Sequence, residues 1–216
     1  MSIFERERTS AEVVMYALYL YFLGLSFRNT SKALEPFTER SHVAIWGWVQ
    51  RFNPGKIYSC ERVAAFLIDE TMIQIGADDA WLWVAIEPVH RKILGIYISR
   101  HRNMLVAESF LRSLVRLYGK HTVYSDGGTW YPEACISIGL KHRLHSSYQK
   151  SIIERAIEYF KDRTEAFDDY YPCMRSGLLC NLLHVYKWLS LFVFMHNNIV
   201  RSNIKFSDFK RWIHLS

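Results

Sequence analysis

The 216-residue sequence predicts an α/β protein: a mixed sheet of three antiparallel strands followed by alternating helices and strands, preceded by a small all-α domain. Three observations carry this reading. Residues 64–98 hold three runs rich in β-branched and aromatic residues, separated by turn-forming segments. After Asn103, apolar residues recur at helical spacing and alternate with short strand-like runs as far as Phe167. Before residue 55, three short helical stretches are each closed by Gly or Pro.

The first of these begins at Thr9-Ser10-Ala11-Glu12, which has the form of a capping box, and runs to about Phe22 before Gly24. The second spans Ser26 to Leu34, capped by Ser26 and broken at Pro36. The third runs from about Arg40 to Phe52, with Ile45, Trp48, Val49 and Phe52 as its buried face, and Pro54-Gly55 stops it. Three short helices with a tight turn before the third form the pattern of a helix-turn-helix, whose last helix enters the major groove. Its other face offers Arg40, Ser41, Ala44, Gly47, Gln50 and Arg51, small or donor-bearing groups suited to double-stranded DNA. A plain three-helix cap has the same pattern.

Ala64 to Gly76 reads as a buried strand, yet Asp69 and Glu70 stand in its middle. A buried charge is costly unless paired or bound to a metal. Successive strand side chains point to opposite faces, so the two carboxylates cannot look the same way. Asp69 aligns with Leu67, Thr71 and Ile73, and Glu70 with Ile68, Met72 and Gln74. Ala80–Ile86 and Lys92–Ile98 complete an antiparallel meander, with Asp78 and Asp79 expected as turn residues. A helix capped by Asn103 stops at Gly119. Thr122–Ser125 is a short strand ending in Asp126-Gly127-Gly128. A helix from Tyr131 to about Ile138 leads to a basic strand, Lys141-His142-Arg143-Leu144-His145, and a long helix runs from about Gln149 to Phe167. The order β-β-β-α-β-α-β-α is the ribonuclease H-like layout.

Composition narrows the function. Half the residues are hydrophobic and 15% are aromatic, which excludes a disordered chain. The net charge of +6 (27 basic minus 21 acidic) points to a polyanionic partner. The excess sits in residues 1–60 and 167–216, while residues 61–166 are nearly neutral. Cys60, Cys135, Cys173 and Cys180 show no CxxC and no partnered His spacing, so they are expected as reduced thiols of a cytoplasmic protein rather than zinc ligands. Glu5-Arg6-Glu7-Arg8 precedes the first apolar run, which argues against a signal peptide. Leu178 to Val200 is broken by Asn181, His184, Lys187 and His196 and reads as a buried helix packed on the sheet, not a membrane span.

Asp126 ends the strand after the meander, at a sheet edge where ligands bind, and in this layout it lies beside Asp69. A third carboxylate is expected from the long helix: Glu154, 28 residues after Asp126, with Glu158 as the alternative. Lys161 is seven residues beyond Glu154 on the same helical face. Three carboxylates around one point repel one another unless a cation is present. Mg²⁺ or Mn²⁺, held by oxygen in a pair of sites, relieves this and serves phosphoryl transfer. Trp130 is expected as a core or rim aromatic, and His142 and His145 as strand-side or phosphate-facing groups.

On these residues the chain resembles the insertion-sequence transposases with an Asp-Asp-Glu triad, nearest the IS6-type group and its archaeal members. The resemblance lies in Ile68-Asp69-Glu70-Thr71, in Ser125-Asp126-Gly127-Gly128 followed by Trp130-Tyr131, and in Ile153-Glu154 followed by Tyr159-Phe160-Lys161-Asp162-Arg163. Ala44-Ile45-Trp46-Gly47-Trp48-Val49 also resembles the end of the family's helix-turn-helix. The chain departs from many members at Ile152-Ile153, where they carry paired Asn. The resemblance implies a ribonuclease H-like catalytic domain that binds terminal inverted repeats, nicks 3′ ends with water and joins the freed 3′-OH to target DNA. It implies Asp69, Asp126 and Glu154 as catalytic metal ligands and Lys161 as a DNA contact. Arg143 on the basic strand is expected as a further DNA contact. A homo-oligomer in the synaptic complex is implied, and no membrane partner. The expected division is a helix-turn-helix domain over 1–55, a catalytic domain over 62–200 and a tail over 201–216. Two other readings stay open: a non-catalytic DNA-binding protein derived from a transposase, and a ribonuclease H-like nuclease without strand transfer.

Overall fold

The computed structural model describes residues 9–52, 62–75, 78–165 and 182–199. These fall into two compact units, one made of residues 9–52 with the last helix and the other of residues 62–165.

The first unit opens with α1 (Ala11–Phe22), α2 (Phe27–Leu34) and α3 (His42–Arg51). The expected capping box is not formed. Ser10 takes the N-cap position without a side-chain cap bond, and the buried Thr9 hydroxyl instead accepts from Arg40 Nε at 2.7 Å. A guanidinium is a stronger donor than a helix amide, which accounts for the exchange. The expected Ser26 cap is formed, its hydroxyl accepting from the Asn29 amide at 3.2 Å, and Ser41 caps α3 by accepting from the Ala44 amide at 3.3 Å. Ser41 therefore starts α3 two residues later than Arg40. Ile45, Trp48, Val49 and Phe52 are all buried, as their spacing predicts.

The second unit contains β1 (Phe66–Ile75), β2 (Asp78–Ile86), β3 (Ile93–Ser99), α4 (Met104–Tyr118), β4 (Val123–Ser125), α5 (Trp130–Ile138), β5 (His142–Leu144) and α6 (Ser147–Glu165). The sheet order is β3-β2-β1-β4-β5. The first three strands pair antiparallel, and β4 pairs parallel to both β1 and β5. This is the ribonuclease H-like arrangement. Asp78 and Asp79 are not turn residues: they open β2 opposite Ile75 and Gln74, because the hairpin ladder runs further than the charged pair suggests.

One face of the sheet carries a core of Phe66, Ile68, Trp83 and Ala85 against Phe110 and Leu114 of α4 and Tyr131 of α5. Gly95 permits this approach, since a Cβ there would stand 2.8 Å from Leu114 Cδ2. Strand parity turns Leu67, Asp69 and their partners Ile86 and Val84 to the opposite face. There α6 packs against β1 and β2 with Ile153, Ile157 and Phe160 buried.

The last described helix, α7 (Leu182–Ile199), belongs with the first unit. Its Phe192 ring lies 5.4 Å from Phe22 and its Phe194 ring 5.3 Å from Phe52, so it packs with α1 and the end of α3. Phe22 and Phe52 are large apolar rings that three short helices cannot enclose alone. Among the described residues no helix is long and apolar enough to cross a membrane. Cys135 is buried, and burial pushes its thiol up to about 11, so it is an unreactive core residue. Cys60, Cys173, Cys180, Pro54-Gly55, Gly76-Ala77, Phe167–Pro172, Leu178–Asn181 and residues 201–216 lie outside the described residues.

Candidate active site

β1 carries two charged residues, the neighbours Asp69 and Glu70, and the ladder fixes which face each one takes. Glu70 is paired across to Trp83 and joins the α4–α5 side, while Asp69 is paired to Val84 on the α6 side. The sequence alone left this choice open.

Asp69 is half-buried and accepts a hydrogen bond from the Glu70 amide at its Oδ1, 2.9 Å away. Burial, and after it the Glu70 charge, push its carboxyl up to about 7, and the charges of Asp126 and Glu154 act in the same direction. The parallel register pairs Leu67 with Tyr124, and continuing it by two residues sets Asp126 level with Asp69. Asp126 is exposed just past β4, and its Oδ1 accepts from the Gly128 amide at 3.0 Å. Gly127, at φ 93°, makes the turn an L-residue would resist. Glu154 is on the exposed side of α6, tied only to Lys150 at 3.6 Å. Glu154 is thus the α6 glutamate whose charge reaches Asp69. Among the described residues no three His, Cys, Asp or Glu side chains are close enough, as placed, to hold a metal ion.

Glu70 is treated differently. Its side chain has no exposed surface. Arg102 donates to its Oε1 from Nε and from Nη2, both at 2.7 Å, and the Tyr131 hydroxyl donates to Oε2. Burial raises the Glu70 carboxyl, and the hydrogen bonds from Tyr131 and Arg102 pull it back. The Arg102 guanidinium lies between two indoles, 4.6 Å from the Trp81 ring and 4.3 Å from that of Trp130. Nothing in Arg100-His101-Arg102-Asn103 singles out Arg102, whose partner is 32 residues away.

On β5, His142 Nε2 shares a hydrogen bond with Ser125 Oγ at 2.8 Å. Burial lowers the pKa of both His142 and His145. Arg143 and Lys161 are exposed on the second unit. On the first, Arg40 donates to Thr9 and from Nη1 to the Glu39 carbonyl, Ser41 caps α3, Arg51 Nε donates to the Gly47 carbonyl at 3.2 Å, and Gln50 is half-buried.

The strand order, with one carboxylate inside β1 and a second just past β4, defines a ribonuclease H-like protein. A family model described as a DDE domain matches residues 63–170, and the chain belongs to that family, the DDE transposases. It is 32% identical over 173 residues to an uncharacterised protein of Methanocaldococcus jannaschii, a match spanning 79% of this chain and 80% of that one. Among solved structures it is similar to the catalytic core domain of BIV integrase, at 17% identity, with 66% of this chain and 88% of that one covered and a TM-score of 0.45. It is likewise similar to the HTLV-2 integrase catalytic core domain in complex with magnesium, at 15% identity, 61% and 87% coverage and a TM-score of 0.44.

Proposed function

We propose that this chain is the transposase of an IS6-type insertion sequence, binding terminal inverted repeats and catalysing metal-dependent 3′-end nicking and strand transfer. The observation that carries the reading is the placement of Asp69: half-buried in β1, level with Asp126 in the continued parallel register, and on the face that α6, the helix of Glu154, packs against. Burial first, and then the Glu70 charge, push its carboxyl up to about 7, and the charges of Asp126 and Glu154 add to this. The donor set is all carboxylate oxygen, which suits a hard divalent cation. Glu154 has the freedom to complete it, since an exposed i,i+4 pair such as that with Lys150 holds it by only about 0.3–0.5 kcal/mol. Asp69, Asp126 and Glu154 would hold Mg²⁺ or Mn²⁺, as a pair of ions, which would supply activation of the attacking oxygen and stabilisation of the leaving one in phosphoryl transfer. Asp69 is kept oriented by the Glu70 amide and Asp126 by the Gly128 amide, so both carboxylates meet DNA already aimed.

In this reading the first unit, through Arg40, Ser41, Gln50 and Arg51, reads the inverted repeat, while Arg143 and Lys161 hold the strand near the cut. Joining two ends calls for a homo-oligomer on double-stranded DNA.

The test is a nicking and joining assay on inverted-repeat DNA with Mg²⁺ or Mn²⁺. Asp69→Asn, Asp126→Asn and Glu154→Gln are each expected to abolish nicking while DNA binding persists, and Glu158→Gln to keep it. Full activity in Glu154→Gln with loss in Glu158→Gln moves the third ligand to Glu158. Nicking without joining makes the chain a nuclease, and binding without nicking makes it a non-catalytic DNA-binding protein.

A further inference from the structure

The cluster on the far face of β1 carries more than a buried ion pair. We infer that Arg102 is a positioning residue that fixes the separation of Asp69 and Asp126; its importance for metal binding rests on the reading of those two as ligands.

The connection can be followed atom by atom. Asp69 Oδ1 is held by the amide of Glu70. The Glu70 side chain turns to the opposite face, where Arg102 grips Oε1 with two donors and Tyr131 occupies Oε2. Arg102 is itself clamped between the rings of Trp81, on β2, and Trp130, at the start of α5. Trp130 in turn rests on Gly128, where a Cβ would stand 2.8 Å from the indole, so this position admits the ring only as glycine. The Gly128 amide holds Asp126 Oδ1 at 3.0 Å. A continuous set of contacts thus runs from one carboxylate to the other through Arg102, on the side of the sheet away from both.

Stability alone does not call for this arrangement, because apolar replacements of buried ion pairs are often neutral or stabilising. The chemistry of the contacts is also selective. A planar guanidinium can direct Nε and Nη2 at one carboxylate oxygen while lying flat against two rings, whereas an ammonium has no planar face to stack. Groups that orient metal ligands from behind typically change metal affinity or activity by 10–100-fold when removed.

The experiment uses the full chain with two substitutions. Arg102→Lys keeps the charge and loses the fork and the stack. The double variant Arg102→Met with Glu70→Gln fills the site without burying a charge. Two readings are taken: ¹⁵N order parameters along the backbone without metal, and Mn²⁺ affinity by paramagnetic resonance without DNA. Both variants are expected to fold with rigid β1, β2 and α4 amides. The Gly128 amide should fall from about 0.85 toward 0.6, and Mn²⁺ binding should weaken by about tenfold or more. An unchanged Gly128 amide in the folded variants overturns the inference. So does a loss confined to variants whose whole sheet has loosened, which would make Arg102 a structural residue. If the wild-type chain binds no Mn²⁺, the ligand reading fails, and the Gly128 amide still decides whether Arg102 positions that loop.

Discussion

Asp69 and Glu70 are neighbours on one strand, carry the same charge, and live under opposite regimes. Glu70 is enclosed and every carboxylate oxygen has a donor, from Arg102 or Tyr131. Asp69 has a backbone amide for a partner and further carboxylates as company. A chain that can supply a guanidinium to one face of a strand can supply one to the other. Among the described residues no side-chain cation is bonded to Asp69, and under the proposed function the cation for that face would come from outside the chain.

The largest effect that tests this contrast is at Glu70. Arg102→Ala leaves its carboxylate buried without a cation, a change that costs roughly 3–5 kcal/mol for a buried pair. The lower end is expected, because Arg102 is itself 34% exposed. Urea denaturation should show the shift, and adding Glu70→Gln should recover most of it. A loss below about 1 kcal/mol, the scale of exposed pairs, would mean that the two faces do not differ.

Asp69 should respond in the other direction. Its native carboxyl keeps a proton up to about pH 7, while the unfolded chain releases it near 3.8. Between those values the native state binds the extra proton, so the stability it contributes is present below about pH 4 and lost as the pH rises to 7. In metal-free buffer Asp69→Asn should therefore melt higher than wild type at pH 8 and match it at pH 4. Each kcal/mol gained corresponds to about 2–4 °C for a chain of this size. Identical pH slopes for the two proteins would remove the argument for a strained carboxylate.

The smallest effect concerns the rim of the Asp69 face. Lys161 is exposed on α6, seven residues beyond Glu154. Lys161→Ala should leave stability within about 0.5 kcal/mol of wild type, reduce strand transfer, and lower the salt slope of DNA binding by about one. Joining that is unchanged at physiological salt would leave Lys161 as ordinary surface charge.

The order of strands and helices was legible because each element carries a local signal: alternation, turn residues, a cap or a stop. The parity of β1 was legible too, so the two carboxylates had to diverge. Which of them met the core was not legible, because that depends on which face α4 and α5 cover. Arg102 was not legible for a related reason, since its indole walls and its carboxylate come from three separate elements. α7 announced itself as a buried helix, but an apolar helix does not say which surface it buries against. Asp78 and Asp79 have the local propensity of a turn, but the ladder that extends through them overrides it.

The packing of α7 on Phe22 and Phe52 has a consequence in time. The first unit is discontinuous: its three opening helices leave the ribosome early, but Phe192 is 140 residues behind Phe52. At ordinary rates of synthesis the delay is roughly 10 s. The sheet unit is contiguous in the chain and has its own core, so it can collapse within that interval. The helices of residues 11–51 must wait with two aromatic rings uncovered, and their unit closes only after the sheet unit between them and α7 has been made.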